Sequence, residues 1–172
     1  MDLAPTSSTA VSMAVGDALA VVLLLRKGFR EQDFARLHPG GSLGRRLSTR
    51  VEDVMVADDY PAVPATARMR DLIVPLAHMR GTVPVVDEVG ALLGVVTTGD
   101  LARLMERNPD FLLIPVAEVM TGNPKTVRPD ELASAAAHLM EEHGVMALPV
   151  VDVDHRLRGV VHLHDLMRAR VV

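Results

Sequence analysis

The pattern of apolar and polar positions divides the chain into an apolar N-terminal segment and a longer part in which helices alternate with strands. Apolar residues recur at helical spacing over 132–140, and Gly144 follows as a stop signal. Two apolar runs, 147–151 and 157–161, flank a polar turn and predict two strands. A short helix is expected over 164–167, so the predicted order is helix, strand, strand, helix.

The same order of elements is predicted earlier in the chain. Its four elements are a helix over 66–80, strands over 83–87 and 92–97, and a helix over 99–107. Pro75 lies inside the first of these helices, where a proline removes a backbone hydrogen bond, so we expect that helix to be kinked or shortened. In the later copy, Pro129 and the two acids after it are expected to open the helix.

An internal repeat relates the two copies at an offset of 65 residues, as between Gly94 and Gly159. Three further blocks return at the same offset: Asp53-Val54-Met55 as Glu118-Val119-Met120, Pro64 as Pro129, and Pro84-Val85-Val86-Asp87 as Pro149-Val150-Val151-Asp152. We therefore expect the copies to align without a gap. One copy alone would leave an apolar sheet face uncovered, so the two are expected to pack together.

Residues 1–47 lie outside the repeat. Hydroxyl residues at 6–9 precede a stretch rich in Ala, Val and Leu, which predicts a helix that ends before Gly28. A short helix is expected over 31–37, followed by a glycine-rich loop over 38–44. The first helix is strongly apolar, and nothing in the sequence is an obvious cover for it.

Composition narrows the classes of protein that fit. A net charge of −4 and an aromatic content of 2% argue against a general nucleic-acid binder. The absence of cysteine excludes disulfides and thiolate metal sites and is compatible with a reducing cytoplasm. The longest apolar run, 18–25, is shorter than the roughly 18 residues that span a bilayer, so we expect a cytoplasmic protein without a membrane segment.

The repeat resembles a tandem pair of CBS domains (a Bateman module), in which GVVTTGDL at 94–101 ends the first copy. The stretches LAPTSST, GDALAVVLLL and DFARLHPGGSLGRRL resemble the last part of a sugar-isomerase (SIS) domain. Together they resemble bacterial arabinose 5-phosphate isomerases. The resemblance implies an α/β fold with a helical SIS remnant at 1–47, a first CBS domain at 48–110 and a second at 111–172.

The resemblance also implies a regulatory function. The parent activity is interconversion of D-ribulose 5-phosphate and D-arabinose 5-phosphate, which supplies the lipopolysaccharide precursor Kdo. This chain lacks most of an SIS domain and is expected to be inactive alone. The implied partners are its own SIS domain, further copies in a homodimer or homotetramer, and a regulatory ligand, either CMP-Kdo or an adenine or cytidine nucleotide; no cofactor is required. The alternative is a CBS pair that serves only as a ligand-free oligomerisation scaffold.

Four residues are candidates for binding that ligand: Thr97, Asp100, His162 and Asp165. A hydroxyl at a strand end can donate to a phosphate or ribose oxygen, and a carboxylate one turn later can accept from two ribose hydroxyls. Alternatively, Thr97 or Thr98 caps the next helix and Asp100 is an acid favoured by the helix dipole. His162 replaces Thr97 in the second copy and departs from the G-h-h-T-x-x-D pattern of nucleotide-binding CBS copies, which favours one site, or a different nucleotide, over a symmetric pair of adenosine sites.

His38 is the candidate catalytic residue, because the resemblance implicates the histidine of the HPGG block in catalysis. Aldose–ketose isomerisation moves a proton between two carbons, and an imidazole of near-neutral pKa can act as the acid or base. Taken by itself, a histidine in such a loop is more simply a solvated or locally hydrogen-bonded group. Its site would be incomplete here.

Ser7, Ser8 and Thr9 are candidates for binding a phosphate, through hydroxyls and free amides at a helix start. They can equally be described as helix caps. No metal site is expected: His162 and His164 share one strand face only if the strand continues to 164, and zinc sites need three or four convergent ligands.

Overall fold

The structure is a computed structural model that describes residues 6–30, 33–34, 37, 41–57 and 60–172. Helix α1, Ser7–Arg26, ends before Gly28, whose φ of 63° is the left-handed conformation expected after a helix. Helix α2, Ser42–Ser48, begins where the sequence predicted a loop, so that part of the prediction is wrong. The helix predicted over 31–37 lies largely outside the described residues.

Helix α2 forms because the repeat supports it. The Ser134 hydroxyl donates to the Arg46 carbonyl oxygen at 2.9 Å, which ties α2 to a helix of the second copy. Within α2, the Ser48 hydroxyl donates to the Gly44 carbonyl oxygen at 2.8 Å. A glycine-rich sequence does not by itself favour a helix, so the tertiary bond from Ser134, together with the local bond from Ser48, explains the difference from the prediction.

Each copy of the repeat contains the predicted order of helix, strand, strand and helix. The first copy contains β1 (Val63–Pro64), α3 (Ile73–His78), β2 (Thr82–Val86), β3 (Leu92–Thr97) and α4 (Thr98–Arg107). The second contains β4 (Thr121–Gly122), α5 (Ala133–His143), β5 (Ala147–Val151), β6 (Leu157–His162) and α6 (Leu163–Arg168).

The first helix of the repeat is shortened, as Pro75 predicts. A 3-10 turn over Met69–Leu72 precedes α3, which begins at Ile73. Pro75 is therefore the third residue of α3, in the first turn, where a backbone N–H has no partner within the helix. Proline is tolerated there at little energetic cost.

The prediction that Pro129 opens the helix of the second copy is wrong. Helix α5 begins at Ala133, after a turn in which the Glu131 amide donates to the Arg128 carbonyl oxygen at 3.2 Å. The Arg128 amide in turn donates to the Glu131 carboxylate at 3.1 Å. The acids thus close a turn ahead of the helix instead of forming its first turn. Gly144 ends α5 as predicted, with a φ of 63°.

The two copies exchange their first extended segments. The described strands form a four-stranded sheet in the order β1-β2-β3-β4 and a hairpin of β5 and β6. Strand β4 belongs to the second copy, yet it pairs with β3 of the first, with Thr121 opposite Val95. Reciprocally, Val56 of the first copy bridges Val160 of the second. At the repeat offset, Val56 corresponds to Thr121 and Val160 to Val95. The two pairings are therefore equivalent, and the exchange is symmetric.

This exchange explains why both copies carry a glycine at the same point of the last strand. A Cβ atom on Gly94 would lie 2.7 Å from the Thr121 carbonyl oxygen, and one on Gly159 would lie 2.5 Å from the Val56 carbonyl oxygen. Any side chain would therefore collide with the backbone of the exchanged segment. The repeated glycines allow the two halves to come together.

The core is shared between the copies, as the repeat predicted. One cluster consists mainly of second-copy residues around Leu148 and Met140 but includes Val51 of the first copy. The other surrounds Leu76 and Val85 and includes Val116 and other residues of the second copy. Because each cluster draws on both halves, neither copy can bury its apolar face alone.

The expectation that the copies align without a gap is wrong. Arg80 and Gly144, both at positive φ, end equivalent helices at an offset of 64. Gly81 takes the place of two residues of the second copy, Val145 and Met146. Its amide donates to the Leu76 carbonyl oxygen, as the Val145 amide donates to that of Met140. Its carbonyl oxygen accepts from the Thr98 amide, as that of Met146 accepts from the Leu163 amide. The second copy therefore has one more residue in this turn.

Helix α1 stands apart from this core. Within the described residues no part of α1 is buried, which matches the expectation of an uncovered apolar helix. It is also the one described helix long and apolar enough to cross a bilayer, with a mean hydropathy of 1.9. Helices from the cores of soluble proteins satisfy the same criteria, so this is weak evidence for a membrane span.

Candidate functional site

Thr97 and Asp100 form a reciprocal cap at the start of α4. Thr97 is the N-cap residue, and its hydroxyl accepts from the Asp100 amide at 3.3 Å. The Asp100 carboxylate in turn accepts from the Thr97 amide at 2.8 Å and from its hydroxyl at 2.7 Å. Both residues are therefore held in fixed positions at the junction of β3 and α4.

The second carboxylate oxygen of Asp100 is bound by the Arg103 guanidinium, one turn further along α4. The Asp100 side chain is 11% exposed, whereas that of Arg103 is 62% exposed. An exposed arginine in an ion pair within one helix can change rotamer at little cost. Arg103 can therefore move aside for a ligand that offers Asp100 a hydroxyl group.

A cavity of about 610 Å³ lies beside this cap, between the two copies. The first copy lines it with Thr97, Asp100, Arg103 and the turn Arg80–Thr82. The second copy contributes residues 121 and 123–125 and the segment 143–149. Its volume falls within the range of small-molecule sites, roughly 300–1,000 Å³.

The cavity lining combines basic, apolar and neutral polar side chains, the last including Thr82 and Asn123. Two basic side chains, Arg103 and Lys125, line it together with one carboxylate, Asp100; Arg80 also lines it, but its guanidinium is bonded to Asp165. Arginine and lysine side chains recognise phosphate oxygens, and a carboxylate accepts from hydroxyl groups. The apolar side chains of Val95, Met146 and Leu148 also line the cavity and can cover a flat ring. This arrangement suits a small ligand with an anionic group, a hydroxylated portion and an apolar portion.

The equivalent residues of the second copy are arranged differently. His162 is the N-cap residue of α6 and is 4% exposed. Burial lowers its pKa, and the nearby Arg80 charge lowers it further, while Asp165 acts in the opposite direction. The Asp165 carboxylate is less accessible to a ligand than that of Asp100, because both of its oxygens accept from Arg80 of the first copy, at 2.9 and 3.0 Å.

The structure therefore separates the four candidate ligand-binding residues into two pairs. Thr97 and Asp100 line the cavity, whereas His162 and Asp165 are not among the described residues that do. Sequence reasoning missed Arg80, Arg103 and Lys125. Arg103 could have been found from its spacing of three residues from Asp100 on a predicted helix. The other two reach the cavity only through the packing of the copies.

The remaining candidates lie elsewhere. Ser7, Ser8 and Thr9 form the exposed first turn of α1. His38 lies outside the described residues. Among the residues that the structure describes, no group of three or more His, Asp or Glu side chains is arranged to hold a metal ion.

Comparison with known proteins gives a family match on both copies. The family model for the CBS domain matches residues 51–107 and 116–172. The chain is 44% identical, over its whole length, to the arabinose 5-phosphate isomerase of Pseudomonas aeruginosa and 43% identical to that of Escherichia coli K12. It covers 53% of each of these proteins, so it spans about half the length of the curated relatives that it matches.

Solved structures show the same architecture. The crystal structure of CBSX2 in complex with AMP is 29% identical, with a TM-score of 0.63 over 71% of this chain and 96% of that one. The CBS domain pair of protein MJ0100, in complex with 5′-methylthioadenosine and S-adenosyl-L-methionine, is 29% identical, with a TM-score of 0.59 over 70% of this chain and 94% of that one. With both repeat copies matched and their paired arrangement shared, the chain belongs to the CBS-domain family and contains a tandem CBS pair.

Proposed function

We propose that this CBS pair is a sensor that binds a nucleotide or nucleotide sugar in the cavity beside Thr97 and Asp100. The observation that carries the proposal is the cavity itself: its lining, contributed by both copies, combines the capped Asp100 carboxylate, the cations Arg103 and Lys125, and apolar side chains. The phosphate would lie against the cations, and the ribose hydroxyls would donate to Asp100 in place of Arg103.

The nature of the ligand is suggested by relatives. The structures of CBSX2 and protein MJ0100 contain adenosine compounds, which supports a nucleotide. The similarity to arabinose 5-phosphate isomerases supports adding CMP-Kdo and CMP to the candidates, as the family resemblance of the sequence implies. We propose that ligand binding alters the activity of a sugar-phosphate isomerase domain, with His38 as part of its active site.

A change in the cavity can reach the rest of the chain through the exchanged strands. Thr121 lines the cavity and also pairs with Val95 of the first copy, so a ligand touches both copies at their junction. Helix α2 is bonded to α5 of the second copy through Ser134. A shift between the copies would therefore be passed to residues 41–48 and to whatever precedes them.

The test is a thermal-shift titration of the chain with CMP-Kdo, CMP, AMP, ADP, ATP and S-adenosylmethionine. A ligand at 100 times its dissociation constant adds about 2.7 kcal/mol of stability. For a chain of this size, that corresponds to a rise in Tm of roughly 5–10 °C. Asp100→Asn is expected to abolish the rise. If no compound raises Tm in the unaltered chain, the proposal fails.

Asp71→Asn is the matched control for Asp100→Asn. Asp71 makes the same kind of cap, accepting from the Arg68 amide at 3.0 Å, but it does not line the cavity. Both variants should lose similar stability without ligand, about 1 kcal/mol. Only Asp100→Asn should lose the response to ligand. Loss of the response in both variants would attribute it to helix capping and contradict the proposed site.

A ligand-free oligomerisation scaffold is a second candidate, favoured by apolar side chains exposed on the helices. Val74, Met105 and Met167 are each more than half exposed. A groove of about 720 Å³ runs between α5, α6 and the C-terminal residues. Light scattering would test this: a homodimer or homotetramer whose mass is the same with and without every nucleotide favours the scaffold, and a monomer contradicts it.

A further inference from the structure

The repeat predicts a second cleft, related to the first by the exchange of the two copies. At the repeat offset, His162 and Asp165 correspond to Thr97 and Asp100, and each pair stands at the junction of a strand and a helix. Asp165 is as well covered as Asp100, with side-chain exposures of 12% and 11%. What covers the two carboxylates differs, and this difference carries the inference.

Asp165 is covered by the other copy. The Arg80 guanidinium comes from the turn after α3 in the first copy and donates to both carboxylate oxygens of Asp165, at 2.9 and 3.0 Å. Asp100, by contrast, is bonded by Arg103 of its own helix. An ion pair within one helix can open by rotation of a single side chain. The pair across the copies also joins the two halves of the protein.

The residue equivalent to Arg80 in the second copy is Gly144. Both residues end a helix in the left-handed conformation, with φ of 49° and 63°. Gly144 lines the cavity beside Asp100 but has no side chain to extend toward that carboxylate. The first cleft is therefore open where the second receives a guanidinium, and the left-handed φ of Arg80 is a conformation that glycine adopts more easily.

His162 adds a second obstruction. Where the first copy presents the small Thr97 hydroxyl, the second has a buried imidazole. Its pKa is lowered by burial and by Arg80, which disfavours the protonated ring. The ring is also bulkier than a threonine side chain, so it leaves less space beside Asp165.

We propose that Arg80 is a built-in occupant of the second cleft, holding Asp165 where a ligand's hydroxyl groups would bind, so that each chain takes up one nucleotide. This inference rests on the proposed function for the first cleft. A guanidinium forms charge-assisted bonds with a carboxylate, which are about twice as strong as bonds between neutral groups. At Asp165 a ribose diol would have to break two such bonds and a link between the copies, whereas at Asp100 it replaces a single bond from Arg103 within one helix.

Counting bound ligand tests the proposal. Equilibrium dialysis with radiolabelled AMP should give one molecule per chain for the unaltered protein and for His162→Thr, in which Arg80 still bonds Asp165. The double variant His162→Thr with Arg80→Gly should bind two. Two molecules bound by the unaltered chain or by His162→Thr, or one by a folded double variant, would overturn the proposal. Circular dichroism establishes that each variant is folded.

A second measurement is independent of any nucleotide. NMR titration of the His162 ring in Arg80→Gln should show a higher pKa than in the unaltered chain, since a positive charge has been removed while Asp165 remains. Arg103→Gln is the control and should leave the His162 titration unchanged. An unchanged His162 pKa in folded Arg80→Gln overturns the proposal. If AMP does not bind but the pKa rises, the proposed function fails for AMP while the closed second cleft is supported.

Discussion

Replacement of Gly94 by alanine tests the strand exchange directly. The new methyl group would lie 2.7 Å from the Thr121 carbonyl oxygen and 3.0 Å from the Met120 sulfur. The methionine side chain can rotate away, but the carbonyl belongs to the backbone of β4, which is paired with β3 at this point. The strands must therefore separate locally, and overpacking of this kind costs about 1–3 kcal/mol.

In a chain of this size, that loss lowers Tm by roughly 2–12 °C. The assay is thermal and urea unfolding followed by circular dichroism. Gly159→Ala should behave similarly, because its methyl group would lie 2.5 Å from the Val56 carbonyl oxygen. Gly122→Ala is the matched control: Gly122 is the partner of Gly94 in the sheet, yet a Cβ atom there has nothing within 4 Å.

We expect Gly122→Ala to lie within about 0.5 kcal/mol of the unaltered chain. If Gly94→Ala and Gly122→Ala unfold at the same temperature, the close approach of the exchanged segment is refuted. In that case the repeated glycine would need a different explanation. A loss of stability confined to Gly94→Ala and Gly159→Ala would show that both copies receive the exchanged segment of the other.

Two further predictions concern single groups. The pKa of His162 is lowered by burial and by Arg80, so the folded state disfavours its protonated form; stability should be complete above the unfolded pKa of about 6.5 and fall as the pH drops below it. Urea unfolding at pH 7.5 and 5.5 gives the stability lost on acidification. His162→Gln should lose less stability than the unaltered chain, whereas His155→Asn, at an exposed position, should lose as much as the unaltered chain. Equal losses in the unaltered chain and both variants would contradict the assignment. Gly144→Ala places a side chain at a φ of 63° and should cost about 1–2 kcal/mol. Gly16→Ala, in the open interior of α1, should not be destabilising, and equal effects in these two glycine variants would contradict the backbone argument.

Much of the local structure could be predicted because it depends on neighbours in sequence. The apolar runs of 147–151 and 157–161 are strands, and the cap at Thr97 and Asp100 joins residues three positions apart. Pro75 shortens its helix through its own covalent geometry. The failures have a different origin. Helix α2 depends on a bond to Ser134, and the extra residue after Gly144 becomes visible only when the hydrogen bonds of the two turns are compared.

The candidate site divides in the same way. Thr97 and Asp100 were found from one motif, and His162 was recognised as a departure from it. The partners that decide what these residues can do come from distant positions: Arg80 reaches Asp165 across 85 residues, and Lys125 lines the cavity of the first copy. No pattern of spacing along the chain connects such groups.

The sequence by itself determined the duplication, the order of elements in each copy and the position of the glycine in each last strand. These follow from periodicity and from backbone chemistry, which act over a few residues. Only the tertiary structure decided that the copies exchange segments and that the two clefts differ, because both depend on packing between residues far apart in the chain. Gly94 leaves room for the backbone of the second copy at Thr121, and Thr97 and Asp100 form a helix cap beside a cavity that both copies line.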